Sequence, residues 1–295
     1  MDQILAVDLG GTKTSFALVD EAGHISGKRK VAAASTFAGS VGQIPTQPGI
    51  VAAGVVVPGI YDSATGSAWA PNLWGREFHP LREAIEQRLG VPVAIGSDRT
   101  GSVLAEQWLG VARGLGDVLF VAVGTGIGVG ILAQGRPVEG AHGIAGAAGW
   151  MLIGNGWKPE YAACGAWESE AAGPALARRA GMASAEVVVA AARAGDGKAL
   201  DAVRRSAESL AMGVASLIAL LDPEMVVLGG GLIKAGDLLL EPVRRLALAW
   251  TQPVAARRVR IEPTALGEDA GLLGAARLGW LQEGRREAAA RNIGE

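Results

Sequence analysis

ILAVDLGGTKTSFALVD, residues 4 to 20, places an apolar run on each side of a polar tip that holds two glycines. Gly10 and Gly11 fall where a strand has to turn sharply, and apolar alternation resumes at Phe16, Leu18 and Val19, so the stretch reads as a β-hairpin. Its tip is neither of two familiar phosphate loops. A Walker A loop needs Gly immediately before Lys-Thr, where Thr12 stands, and a dinucleotide fingerprint needs G-x-G-x-x-G opening a helix. Asp8, the glycine pair, Thr12 and Thr14 therefore ask for a different ligand.

The same device recurs further along. After a Gly-rich break at 110 to 117, VLFVAVGTGIGVGILA (118 to 133) is again strand, glycine loop, strand. Further strand-like runs stand at 52 to 57 and 92 to 95, and helical patterns at 80 to 89 and 100 to 109. Helices are expected at 168 to 180, 185 to 194, 196 to 221 and 236 to 249. PEMVVLGGGLI (223 to 233) reads as a strand ending in three glycines, RRVRIEPTAL as a late strand, and the tail from Ala270 as one helix that becomes charged and frays. A chain that starts twice in this way predicts two α/β domains on a shared plan with a cleft between them. The expected boundaries are 1 to 110, completed by the C-terminal helix 281 to 295, and 111 to 280.

Composition narrows the function classes. Hydrophobic residues make up 49% and charged ones 19% of 295 residues, with 44 Gly, as in a globular protein rich in tight turns. The formal net charge of −2 leaves no basic footprint for nucleic acid or an anionic membrane. Residues 118 to 135 are long enough to span a bilayer, but their glycines and Thr125 fit two strands and a loop better. A single cysteine, Cys164, excludes an internal disulfide and fits a cytoplasmic setting, and a secretory signal is not expected.

Each glycine loop alone fits a plain turn as well as a ligand site. Three of them, each ending an apolar strand, suit a polyphosphate approached by backbone N–H groups. The order DLGGTKT, SDRTGSVLAE, GTGIGVGI, EGAHGIAG, LGGGL resembles the ROK group of sugar kinases in the actin-like ATPase superfamily. That resemblance implies two actin-like, ribonuclease H-like domains closing over ATP and a sugar, and a homodimer. A DNA-binding head such as the family's repressors carry is not expected.

By the same resemblance Asp8 organises Mg²⁺ indirectly, Gly10, Gly11, Thr12 and Thr14 surround the β- and γ-phosphates, and Gly124, Thr125 and Gly126 hold the phosphates from the second domain. Gly229, Gly230 and Gly231 pass under the adenosine. Lys13 fits a solvated lysine as well as a phosphate contact. Asp98, which by composition alone reads as a helix cap, corresponds to the family's catalytic aspartate, the base for the sugar hydroxyl. Asn72, Ser97, His142 and Glu168 are the remaining sugar-site candidates, Ser97 standing where the family has Asn. The family's G-E-x-G-H and C-x-C-G-x-x-G-C-x-E patterns are broken here: Ala147 and Trp150 replace Glu and His, and Cys164 has no partner cysteines, so zinc is not expected. Trp74, Trp150 and Trp167 are candidates to stack on a pyranose, with core packing the expected role for at least two of them. The expected activity is ATP-dependent phosphorylation of a hexose hydroxyl, glucose first. The alternatives are a catalytically silent sugar sensor, a kinase of an amino sugar or fructose, and polyphosphate as donor.

Overall fold

The computed structural model describes the backbone of residues 2 to 293 and the side chains of residues 2 to 284. Contacts divide the chain into two units, one made of residues 1–113, 137–144 and 266–295, the other of 114–136 and 145–265.

In the first unit the opening hairpin is β1 (Gln3–Leu9) and β2 (Lys13–Val19), antiparallel, with Ile4 opposite Val19 and Leu9 opposite Thr14. β3 (Ile25–Ala32) adds an outer antiparallel strand, and β4 (Ile50–Val57) runs parallel to β1 on its other side. A small antiparallel sheet follows, formed by β5 (Ile60–Asp62), β6 (Ser67–Trp69) and β7 (Phe78–His79). β8 (Val93–Ser97) then joins β4 in parallel, giving the order β3-β2-β1-β4-β8. The pattern of 25 to 32, ISGKRKVA, carries no strand signal because β3 is an edge strand with most of its length exposed; its lysines and arginine also discourage further pairing.

Side chains of β1 alternate between two apolar layers. Leu5, Val7 and Leu9 pack with Phe16, Val55 and Ile85 on one face. Ala6 packs with Ala17, Val56, Leu272 and Ala276 on the other, where the helices Asp98–Leu109 and Ala270–Ile293 lie. That second helix belongs to the first unit over its whole length from Ala270, not only from 281. Its expected fraying falls beyond the described side chains.

The second unit repeats the plan. β9 (Val118–Val123) and β10 (Ile127–Ala133) form the hairpin, β11 (Arg136–Pro137) lies outside β10, and β12 (Met225–Gly229) and β13 (Arg260–Pro263) continue in parallel, in the order β11-β10-β9-β12-β13. The helix Gly197–Leu221 starts at Asp196, whose carboxylate accepts from Ala199 N at 2.8 Å. The helix expected over 168 to 180 is two helices, Ala166–Ala171 and Gly173–Ala180. Gly173 N donates to Gly124 O (2.8 Å) instead of continuing the first, and Pro174 starts the second.

Candidate active site

Register brings two carboxylates to one edge of the first sheet. Asp8 pairs with Val56 near the end of β1, Ser97 pairs with Val57 at the end of β8, and all three strands run parallel. Asp8 and Asp98 thus emerge at carboxyl ends about 10 Å apart in strand spacing, the edge where parallel sheets bind ligands.

The cap of the helix Asp98–Leu109 is Ser97, not Asp98. Ser97 Oγ accepts from Thr100 N (3.1 Å) and shares a hydrogen bond with Thr100 Oγ1 (3.0 Å), so its hydroxyl is committed to the helix end. Asp98, the first helical residue, is left with a carboxyl whose Oδ1 accepts from its neighbour, Arg99 N, at 2.8 Å. Although Asp98 keeps solvent access, desolvation raises its pKa, against the lowering pull of the Arg99 charge and amide. The Arg99 guanidinium is itself held by Gly59 O at 3.2 Å.

Asp8 is half-buried and its pKa rises to about 6: desolvation is the largest cause, the negative charge of Asp98 adds to it, and Lys30 opposes it. Its carboxylate lies against Gly271, where a Cβ would come within 2.3 Å of Oδ2. Hard oxygen donors that repel each other suit a hydrated Mg²⁺ shared with substrate phosphates, the usual way this ion is held with few protein ligands. Among the described residues no group of three or more His, Cys, Asp and Glu could hold a metal ion.

The hairpin tip is open. Gly10 N donates to Lys13 O (3.0 Å), a Cβ on Gly10 would meet that oxygen at 2.6 Å, and Gly11, Thr12 and Lys13 are exposed. Thr14 differs from the expectation: it lies 1% exposed inside β2, so strand pairing withdraws it from the tip. Asn72, in the four-residue helix Pro71–Trp74, and His142 are both exposed. Trp74 is packing: its ring stands edge-on to Phe37 and its Nε1 donates to Ser40 Oγ (2.8 Å).

In the second unit a cavity of about 680 Å³ is lined by Gly124, Thr125, Glu186, Arg193, Gly231 and Lys234, among others. Gly124 lies 3.8 Å from Gly231 N when a Cβ is placed on it, so two glycine loops meet at the rim and leave backbone bare. Its size and mixed lining fit a nucleotide. Gly230 is required by its backbone, with φ +91° and Val123 O 2.4 Å from a placed Cβ. Gly229 departs from the expected role, being a buried strand end against Phe120. Glu186 and Arg193 were missed by sequence reasoning because their helix carries no motif.

Glu168 projects from Ala166–Ala171 and accepts from Ile127 N at 2.7 Å through Oε2. Burial raises its pKa, with the Ile127 amide and Cys164 pulling it down. Gly126 and Gly149 give it room, since a Cβ on either would stand 2.6 or 3.0 Å from Oε2. Trp167, beside it, is fully buried with Nε1 on Ser209 O (2.9 Å), which rules out stacking on a ligand, whereas Trp150 is 55% exposed.

The ROK family pattern matches residues 4 to 282. The chain belongs to the ROK family of ATP-dependent sugar kinases. A glucokinase of Halalkalibacterium halodurans is 30% identical over 313 residues, spanning 94% of each chain. The ROK hexokinase of Thermus thermophilus superposes with a TM-score of 0.82 at 30% identity, over 96% of this chain and 99% of that one. A ROK family glucokinase from Streptomyces griseus, solved with glucose and AMPPNP, gives 0.79 at 30% identity over 95% and 99%. The two-lobed α/β architecture is the one these ROK kinases share.

Proposed function

We propose that this ROK kinase transfers the γ-phosphoryl group of ATP to a primary hydroxyl of a hexose, glucose or a near relative, with Asp98 as the base. The observation that carries the reading is the division of labour at the end of β8: Ser97 caps the helix, which leaves the Asp98 carboxyl off the cap, bonded to the neighbouring Arg99 amide and with desolvation raising its pKa. The sugar oxygen bonds to the γ-phosphorus, its proton passes to an Asp98 carboxylate oxygen, and the bond to ADP breaks with the electron pair leaving on ADP.

Asp8 would hold the hydration shell of Mg²⁺, which supplies charge neutralisation to the phosphates when bound. Gly10 closes the tip through its amide, Gly11 and Thr12 stand exposed at the first unit's hairpin tip, and Gly124, Thr125 and Gly231 line the nucleotide cavity of the second. Glu168 and Asn72 are assigned to the sugar hydroxyls. The relatives described as glucokinases support glucose, as does the glucose held by the Streptomyces griseus enzyme. Ala147 and exposed Trp150, where the family pattern has Glu and His, favour one second reading, a sugar sensor without turnover.

ADP release with Mg²⁺-ATP over a panel of hexoses, amino sugars and fructose, beside Asp98→Asn, separates the readings. Turnover on one sugar that collapses in the variant supports the kinase. Sugar binding by calorimetry with no ADP release from any sugar overturns it in favour of the sensor.

A further inference from the structure

Two residues after Glu168, the same short helix carries a second carboxylate with a different set of contacts. Glu170 Oε1 accepts from Lys158 Nζ and Tyr161 Oη, each at 2.6 Å, and Oε2 pairs with Arg179, which also donates to Ser206 Oγ at 3.0 Å. Burial works to raise its pKa, but these donors and charges hold it down to about 2. Positions two apart on a helix point about 200° apart, so Glu170 turns away from whatever Glu168 faces.

A six-residue helix does not hold itself in place. Gly165, with φ +88°, leads into it past the backbone of Gly149 and Trp150, so closely that a Cβ would stand 2.3 Å from Gly149 O. Trp167 N donates to Met151 O at 3.0 Å, and Cys164 Sγ shares a hydrogen bond with Ser169 Oγ at 3.2 Å. Glu170 adds the charged tie: it binds the 158–161 turn on one side and, through Arg179, the helices Gly173–Ala180 and Gly197–Leu221 on the other.

We infer that Glu170 is a positioning residue for sugar binding, fixing the 158–161 turn and the Ala166–Ala171 helix so that Glu168 stays on the Ile127 amide beside Gly149. This rests on the assignment of Glu168 to the sugar. Glu170→Gln keeps an acceptor for Tyr161 and removes the charge that holds Lys158 and Arg179. Sugar KM and calorimetric Kd should rise about tenfold, the loss of one charge-assisted contact, while KM for ATP and kcat at saturating sugar move less than about threefold. In a Glu168→Gln background the same change should add nothing further.

Equal weakening of ATP and sugar, an unchanged sugar Kd, or full additivity with Glu168→Gln overturns the inference. Tyr161→Phe, which leaves both ion pairs in place, should show a smaller shift in the same direction and serves if Glu170→Gln does not fold. If the wild-type chain binds sugar without phosphorylating it, the kinase reading falls and the Kd comparison still decides for or against Glu170. If it binds no sugar, both fall.

Discussion

Ser97 and Asp98 show how much one hydrogen bond decides. Because the serine hydroxyl takes the helix cap, the next carboxylate is free for chemistry, and Asp98→Asn should lower kcat about 10²- to 10⁴-fold while sugar Kd stays within a few-fold. Turnover equal to wild type in an ADP-release assay would remove the base assignment. Asp8 makes a separate prediction about stability. Its folded pKa of about 6 lies above the ordinary aspartate range, so the folded state holds the proton more tightly and stability falls as pH rises from about 4 to 6. Above that window the ionised carboxylate costs the metal-free protein about 2 kcal/mol, after allowance for its partial exposure. Asp8→Asn should therefore melt higher than wild type at pH 7.5 without metal, with the gap closing at pH 4; an equal or lower melting point at pH 7.5 contradicts the assignment of strain to Asp8. The sequence made Asp8, Gly10 and Gly11 legible through the hairpin pattern. It could not show that Thr14 is buried or that Ser97 is the cap, because pairing register and hydroxyl direction are set by the neighbours β1 and Thr100.

At the scale of the element, the helix Ala270–Ile293 is the clearest case of residues whose purpose is absence of bulk. Glycine costs a helix about 1 kcal/mol relative to alanine, yet GLLGAARLG carries three. Gly274 lies on Gly101 of the neighbouring helix, where a Cβ would come within 2.2 Å of Gly101 O, and Gly279 approaches Ile4 and Gly54. Ala275 O would be 1.7 Å from a Cβ on Gly54, so the strand is thinned at the same place. Backbone, not a flexible side chain, sits in the way. Gly274→Ala should thus destabilise by about 1–3 kcal/mol in denaturant unfolding. Gly284→Ala, in the same helix with nothing within 4 Å of its Cβ position, should stabilise by about 0.5–1 kcal/mol. Equal effects at the two sites would refute close approach as the reason for these glycines. The sequence revealed a helix here, and its apolar stripe is readable, but the partners of each glycine lie more than 170 positions earlier and leave no local trace.

Over the whole chain, the twice-used strand, glycine loop, strand device was visible in the sequence, and the two sheets share one strand order. The sequence also joined a C-terminal helix to the first domain, but it counted that helix from 281 instead of 270 and gave no sign of the third segment, residues 137–144. Ala6, Ala17, Val19 and Val56 of the first unit's sheet are covered by Leu272, Leu273, Ala275 and Ala276, supplied by a helix that follows the entire second unit. On that face the unit whose strands come first has only the helix Asp98–Leu109, through Ala105 and Trp108, until residues 270 to 276 are present, whereas the described core of the second unit is drawn from residues 119 to 261. Apolar area of that kind is the main favourable term in folding, and its loss uncovers part of one face of the five-stranded sheet. Removing residues 266 to 295 should therefore abolish slow amide exchange in β1 and β4 and create a site for a hydrophobic dye, while β9 and β12 keep their protection. Mass-resolved hydrogen exchange on the truncated and full-length chains measures both at once. Protection of β1 and β4 that survives truncation would mean that the sheet and its other layer, built around Leu5, Val7 and Val55, suffice without the helix.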